Sequence, residues 1–184
     1  MAQDREARSE RLREAQAKVS SAEAAFAYFD SLDPVTIDEC RGRWRGSSFV
    51  TGHSLDGVLE GYGWYGKDFR DAENVDPLLF EDRKGRLVKV NPAPLPMGIL
   101  ARLPWLFRGP LASAGFRAVR PLLGTRKPRA RLRLIEHRGV TTTAMFYDDQ
   151  PIVDVFRKVD PDTLLGVMDL RGMREPFFFA LERD

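Results

Sequence analysis

The side chains best able to bind a metal or act as soft nucleophiles are few in this 184-residue chain: His53, His137 and Cys40. They fall at no metal-ligand spacing, so a zinc or other transition-metal centre is not expected, and one cysteine forms no intrachain disulfide. Gly61-Tyr62-Gly63-Trp64-Tyr65-Gly66 matches the letters of the dinucleotide fingerprint G-x-G-x-x-G. That fingerprint needs a strand before it and a helix opening within it; here a helical pattern comes first, and Trp64 and Tyr65 crowd the place of a pyrophosphate. Gly66-Lys67 is not a P-loop either, because no Ser or Thr follows. The stretch predicts instead a turn and a short strand, Trp64 to Phe69, with aromatic side chains pointing inward. A second glycine-flanked aromatic, Trp44 in Gly42-Arg43-Trp44-Arg45-Gly46, suits a structural role. Its small neighbours let other backbone pass close, so the indole can plug one end of a closed sheet.

Charge is distributed unevenly. The net charge is +2, yet Arg83 to Ile135 holds thirteen Lys or Arg and no acid, leaving 16 of the 29 basic residues among all 27 acidic ones. This predicts one face that meets an anionic partner, not a uniformly basic nucleic-acid binder. With 43% hydrophobic and 30% charged residues the chain fits one globular domain, residues 1–184. The first thirty residues have charges where a secretory h-region would be apolar, and no apolar run would span a bilayer, so a cytoplasmic location is expected.

The elements that position these residues follow from periodicity. Residues 4 to 30 read as a helix, with Ala15, Val19, Ala22, Phe26 and Phe29 on its apolar side, within an N-terminal region 1–32. Residues 37–90 hold the first strands: Cys40 to Thr51, Trp64 to Phe69, Val75 to Glu81 and Leu87 to Val90, with Ser54 able to cap a short helix through Val58, Leu59 and Tyr62. Residues 91–127 are apolar and basic and interrupted by Pro104, Pro110 and Pro121, so they form short helices. Three readings of this insertion stand side by side: packing over one end of a core, a lid on a pocket, and a contact with an anionic lipid surface.

Residues 128–184 contain five runs of seven or eight residues, Arg129 to Glu136, Val140 to Tyr147, Pro151 to Lys158, Thr163 to Leu170 and Pro176 to Glu182, joined by short connections. Such runs make an antiparallel meander. Five strands here and about three upstream reach roughly the eight at which an up-and-down barrel closes around side chains or one small ligand. The expected fold is therefore mainly β with helices: an antiparallel up-and-down β-barrel with an N-terminal helix and the basic helical insertion as a cap. Phe177-Phe178-Phe179 is apolar on both strand faces, so a helix must cover its outside.

The motifs Gly42-Arg43-Trp44-Arg45-Gly46, Thr51-Gly52-His53, Gly63-Trp64-Tyr65-Gly66-Lys67-Asp68-Phe69, Met145 to Ile152, Asp154-Val155-Phe156-Arg157, Gly166-Val167-Met168-Asp169 and Leu181-Glu182-Arg183 occur in order. Together they resemble a bacterial family of unknown function named for its GXWXG motif. That family is similar to calycins, lipocalin-like barrels that carry lipids and other hydrophobic molecules, in which the G-x-W opens the first strand and its Trp meets an Arg near the chain end. Trp44 and Arg183 match those two places.

The resemblance implies a non-enzymatic binding protein for a fatty acid or an anionic phospholipid, with no cofactor and a possible peripheral contact with anionic membrane. Candidate ligand contacts are Trp44, Trp64, Tyr65, Phe69, Met97, Leu100, Leu103, Trp105, Phe107, Phe116, Met145, Tyr147, Val153, Val155, Met168 and Phe178. Candidate head-group contacts are Lys67, Arg117, Arg120 and Arg157; candidate barrel-end residues are Gly42, Trp44, Gly46 and Arg183. Two alternatives remain. The G-x-W-x-G pattern also resembles nitrobindins, which bind haem through a histidine, here His53 or His137. An enzyme acting on a hydrophobic small molecule would draw on Lys67, Asp154, Arg157 and Asp169 for acid-base chemistry, although Asp154 and Arg157, three apart in a strand, point to opposite faces.

Overall fold

In a computed structural model of the chain, residues 12–184 are described, apart from Lys18 and Arg83. Trp44 lies near the start of strand β2 (Gly42–Ser48) and is fully buried. The other strands are arranged around it: β3 (Trp64–Phe69), β4 (Val75–Glu81), β6 (Ala130–His137), β7 (Val140–Tyr147), β8 (Ile152–Asp160), β9 (Thr163–Leu170) and β10 (Phe177–Arg183). Each pairs antiparallel with the next in this sequence, and β10 returns to β2. The eight strands form a closed up-and-down barrel of the calycin-like class, which leaves no free sheet edges to cap.

Two small strands lie off this circuit. β5 (Leu87–Lys89) doubles back on β4. β1 (Asp33–Pro34) pairs with Lys158 and Arg157 of β8. Strands β7 and β8 pair only over residues 144–146 and 153–155, and next to β1 Val35 takes hydrogen bonds from the backbone and side chain of Thr143 and donates one to Thr142. A short extended segment thus satisfies backbone groups that strand separation exposes.

The N-terminal helix differs from its expected form. Its residues 4–11 lie outside the described residues. Residues 12–17 are helical (α1), and a second helix, α2 (Ala22–Ser31), starts anew where the Ser21 hydroxyl accepts the Ala24 N–H. This N-cap divides what periodicity alone joined. Helix α2 packs against the outside of the barrel: Phe29 is fully buried, Phe26 and Phe29 meet the Phe178 ring edge-on, and Ala144, Val155, Leu165 and Val167 complete the layer.

A one-turn helix, α3 (Ile37–Cys40), leads into β2. It opens with a reciprocal cap in which Glu39 accepts from the Thr36 N–H and also bridges Lys158 at 2.7 Å. The Lys158 hydrogen bond, followed by those from Thr36, lowers the Glu39 carboxyl to about 2. Since an unfolded glutamate titrates at about 4.3, this group stabilises the fold fully above that value, and the contribution is lost as pH falls toward 2. Melting temperature followed across that acid range should therefore fall more steeply for the wild type than for Glu39→Gln; parallel curves would remove Glu39 from the acid response.

The central insertion forms α5 (Met97–Arg102), a 3-10 turn Pro104–Phe107, α6 (Pro110–Val119) and a 3-10 turn Arg120–Leu123. Prolines at the first position of two of these, Pro104 and Pro110, and at the second position of the last, Pro121, explain why the helical stretch is broken into short pieces. Its base is tied by the Val90–Gly124 bridge and by hydrogen bonds from Asn91 to Leu123 and from Thr125 to Lys89. The remaining short helix, α4 (Val58–Gly61), is capped by Gly57 without a side-chain bond; Ser54, the expected cap, sits in the preceding turn.

Candidate ligand cavity

One end of the barrel is filled by its own side chains. Trp44, Phe69, Val75, Leu132, Met145, Phe156, Leu164 and Leu181 are buried in one cluster. The Trp44 indole donates to the Cys40 carbonyl at 2.7 Å, and the Arg183 guanidinium lies over its ring at 4.1 Å. Arg183 is Trp44's partner across the β2–β10 pair and also donates to the carbonyls of Glu39 and Arg41 and to Asp162. A planar cation held by several acceptors against an indole makes a rigid plug. A Cβ on Gly42 would approach the Arg183 guanidinium at 3.1 Å, whereas one on Gly46 would stand 2.2 Å from the ring of Trp64, which borders the cavity at the other end.

The other end is hollow. A cavity of about 580 Å³ is bounded by Trp64, Leu78, Phe80, Ile152, Met168, Phe177 and Phe179 of the barrel, by Leu55, Val58, Leu59 and Tyr62 beside α4, and by the insertion. From the insertion come Pro92, Pro94 to Met97, Leu100, Leu106, Phe107, Ala112, Phe116, Val119 and Leu123. This size is that of sites that enclose a small organic ligand, and such sites are mostly apolar with a few polar groups.

Lys67, Tyr147 and Asp154 supply the charged groups and a hydroxyl in that lining. Lys67 and Asp154 are 2% and 1% exposed and pair at 2.8 Å. The Lys67 ammonium also donates to the Pro77 carbonyl at 3.3 Å and the Tyr147 hydroxyl at 3.4 Å, and the rings of Trp64, Tyr147 and Phe179 lie within 6 Å of it. Burial raises the Asp154 carboxyl against the opposing pull of Lys67, and burial together with the Asp154 charge keeps the Tyr147 phenol well above its ordinary range. Tyr147 is thus a neutral donor and acceptor. The Asp154 Oδ1 atom and the Trp64 indole N–H have no hydrogen-bond partner and are closed to solvent. Each unsatisfied buried group costs about 1–3 kcal/mol, so an acceptor and a donor left bare along one apolar cavity call for an explanation.

Lys67 is aimed inward by a local device. The β3–β4 register shifts on both sides of Gly66, the mark of a bulge. Gly66 has φ +145°, and a Cβ there would lie 1.9 Å from the Trp44 carbonyl oxygen. The bulge reverses the alternation, so Trp64 and Lys67, three apart, both line the cavity. The third glycine of the false dinucleotide fingerprint is thus a requirement of strand geometry.

Of the candidate ligand contacts, Trp64, Met97, Leu100, Phe107, Phe116, Tyr147 and Met168 line the cavity, as does Lys67. The others are corrected. Trp44, Phe69 and Met145 belong to the filled end. Tyr65 faces outward beside Arg43 and Arg45, against the expectation that both aromatics of the pair point inward. Val153, Val155 and Phe178 lie on the outer face under α2. Leu103 and Trp105 are exposed on the insertion. The arginines are also corrected. Arg157 is buried on the outer face, over Phe29 at 5.4 Å, while Arg117 and Arg120 donate to the Gly61 and Glu81 carbonyls at 2.9 Å. With Arg108 on Ser54 and Tyr62 on Phe107, they fasten the insertion to the barrel rim.

Phe80, Phe177, Phe179 and Asp154 line the cavity without having been expected as ligand contacts. For the phenylalanines a signal was present: Phe177 and Phe179 share a face that Phe178 does not. Neither histidine lines the cavity. His53 accepts the Leu55 N–H and packs on Phe177, and His137 meets Phe29 on the α2 side, so a haem in this cavity would find no imidazole. Among the described residues no group of three or more His, Cys, Asp or Glu is placed to hold a metal, and no helix is long and apolar enough to cross a membrane.

Residues 27–85 match the profile described as GXWXG protein, and residues 128–183 match that described as Domain of unknown function (DUF4334). A solved structure, described as a protein from Thermomonospora curvata, is 33% identical, covers 85% of this chain and 82% of its own, and superposes with a TM-score of 0.62. This chain belongs to the GXWXG family. No curated protein matches it. The two profiles flank the insertion, leaving residues 86–127 between them.

Proposed function

We propose that this GXWXG-family protein is a non-catalytic carrier of a hydrophobic small molecule, acting in the cytoplasm and loading at anionic membrane surfaces. The observation that carries the reading is the cavity of about 580 Å³, apolar except around Lys67, Tyr147 and Asp154 and roofed by the insertion. Of the two lipid classes that the family resemblance implies, its size favours a single-chain lipid such as a fatty acid, with anionic phospholipid as the surface visited. Burying ten methylenes contributes on the order of 8 kcal/mol before ordering costs.

The insertion has two apolar sides, which supports the membrane contact. One lines the cavity; the other exposes Trp105 (66%), Leu111 (88%) and Leu122 (86%), with Arg102, Arg126 and Lys127 also exposed. Large exposed apolar side chains mixed with cations are the composition of a segment that rests on anionic lipid.

Native mass spectrometry of the protein taken from cells, followed by lipid extraction, tests the carrier reading; retained lipid supports it. Absence of lipid, together with failure to bind fluorescent fatty acids, overturns it. Loading is tested separately with phosphatidylglycerol vesicles. Replacing Arg102, Arg126 and Lys127 with Glu, which spares the arginines that hold the lid, should weaken binding at least ~10-fold; unchanged binding rejects the membrane contact.

A further inference from the structure

We infer that Tyr147, Asp154, Lys67 and the Trp64 indole form a seat for the polar end of the ligand, and that they take this end un-ionised, as a hydroxyl or protonated carboxyl group. The inference rests on the carrier reading and adds the class and orientation of the guest.

Charge balance is the first argument. The titratable groups on the cavity wall are Tyr62 from α4, Lys67 from β3, Tyr147 from β7 and Asp154 from β8. The Tyr62 hydroxyl donates to Phe107 in the roof, and Lys67 and Asp154 neutralise each other at 2.8 Å. An ionised carboxylate would bring a second anion beside Asp154 with one ammonium for both, in surroundings where an uncompensated charge is costly. Roof arginines do not correct this balance, because Arg108, Arg117 and Arg120 are bonded to rim carbonyls.

Hydrogen-bond balance is the second. Asp154 Oδ1 and Trp64 Nε1 have no partner of their own and are closed to solvent, and Tyr147, which hydrogen-bonds the Asp154 carboxylate, lines the cavity with them. An O–H group suits this wall, since its proton is available to an acceptor and its oxygen can accept from a donor such as the phenol. Tyr147, half-buried, presents part of its surface on the cavity wall.

The test is displacement of the neutral dye N-phenylnaphthylamine by octan-1-ol, octanoic acid and octane, at about pH 6 and about pH 8. Octan-1-ol should bind at least ~10-fold tighter than octane, equally at both pH values. Octanoic acid must take up one proton to sit beside Asp154, so its affinity should fall about tenfold per pH unit. Tyr147→Phe, which keeps the ring, should remove most of the alcohol's advantage and leave octane unchanged; Asp154→Asn should flatten the pH dependence of the acid. Equal binding of alcohol and alkane, or acid binding that does not fall with pH, overturns the seat while the carrier reading stands. If none of the three displaces the dye, the carrier reading falls and the seat with it.

Discussion

Gly66→Ala should lower the melting temperature by about 10 °C or more, or prevent folding outright. The new Cβ would lie 1.9 Å from the Trp44 carbonyl oxygen and 2.8 Å from the Gly46 nitrogen, both backbone atoms of the paired strand, at φ +145°. Neither can move aside without opening the β2–β3 pair. The combined clash and backbone strain cost at least ~3 kcal/mol, and each kcal/mol shifts the midpoint of a chain this long by about 2–4 °C. Gly98→Ala is the control: Gly98 lies in helix α5 with nothing within 4 Å of an added Cβ, so this change should stabilise by about 0.5–1 kcal/mol. A Gly66→Ala protein melting within about 2 °C of the wild type would show that the bulge is not constrained as described.

The second large effect concerns the Lys67–Asp154 pair. Asp154→Leu leaves a buried ammonium without its partner, and Lys67→Met leaves a buried carboxylate without its own. Each single change should cost about 3–5 kcal/mol, whereas the double change should return to within about 1 kcal/mol of the wild type, because it removes both desolvated charges together. Denaturant unfolding of the four proteins measures this as a double-mutant cycle. Additive losses would mean that the two groups act independently. The double variant should also lose the discrimination between alcohol and alkane while still binding octane, which separates the stability of the pair from its role toward the ligand.

Much of this architecture is legible along the chain. Val140–Tyr147, Thr163–Leu170, Trp64–Phe69 and Val75–Glu81 form where alternation and turn residues place them, because strand patterns and tight connections are local properties. The contact of Trp44 with Arg183, which the resemblance to calycins implies, is formed. Less legible are features that depend on a distant partner. Strand β1 exists because β7 and β8 part and leave backbone groups to satisfy. The arginines of the insertion read as a cationic surface, but Arg117 and Arg120 end on carbonyls of the rim, more than thirty residues away in sequence. A basic composition alone does not distinguish a fastening from a binding surface.

Strand β8 separates what the sequence by itself determined from what the tertiary structure decided. The sequence determined that Val153, Asp154 and Val155 alternate and that the chain closes into an eight-stranded barrel with a tryptophan at one end. Alternation says which residues share a face; it does not say which face points inward. Apolar valines and a carboxylate suggested valines in and acid out, yet helix α2 covers the outside, so the valines are buried there. The acid meets Lys67 across the interior, where the Gly66 bulge has turned it. One residue of parity, set by what packs on each side of the wall, turns an apparently uniform greasy barrel into one with a polar seat.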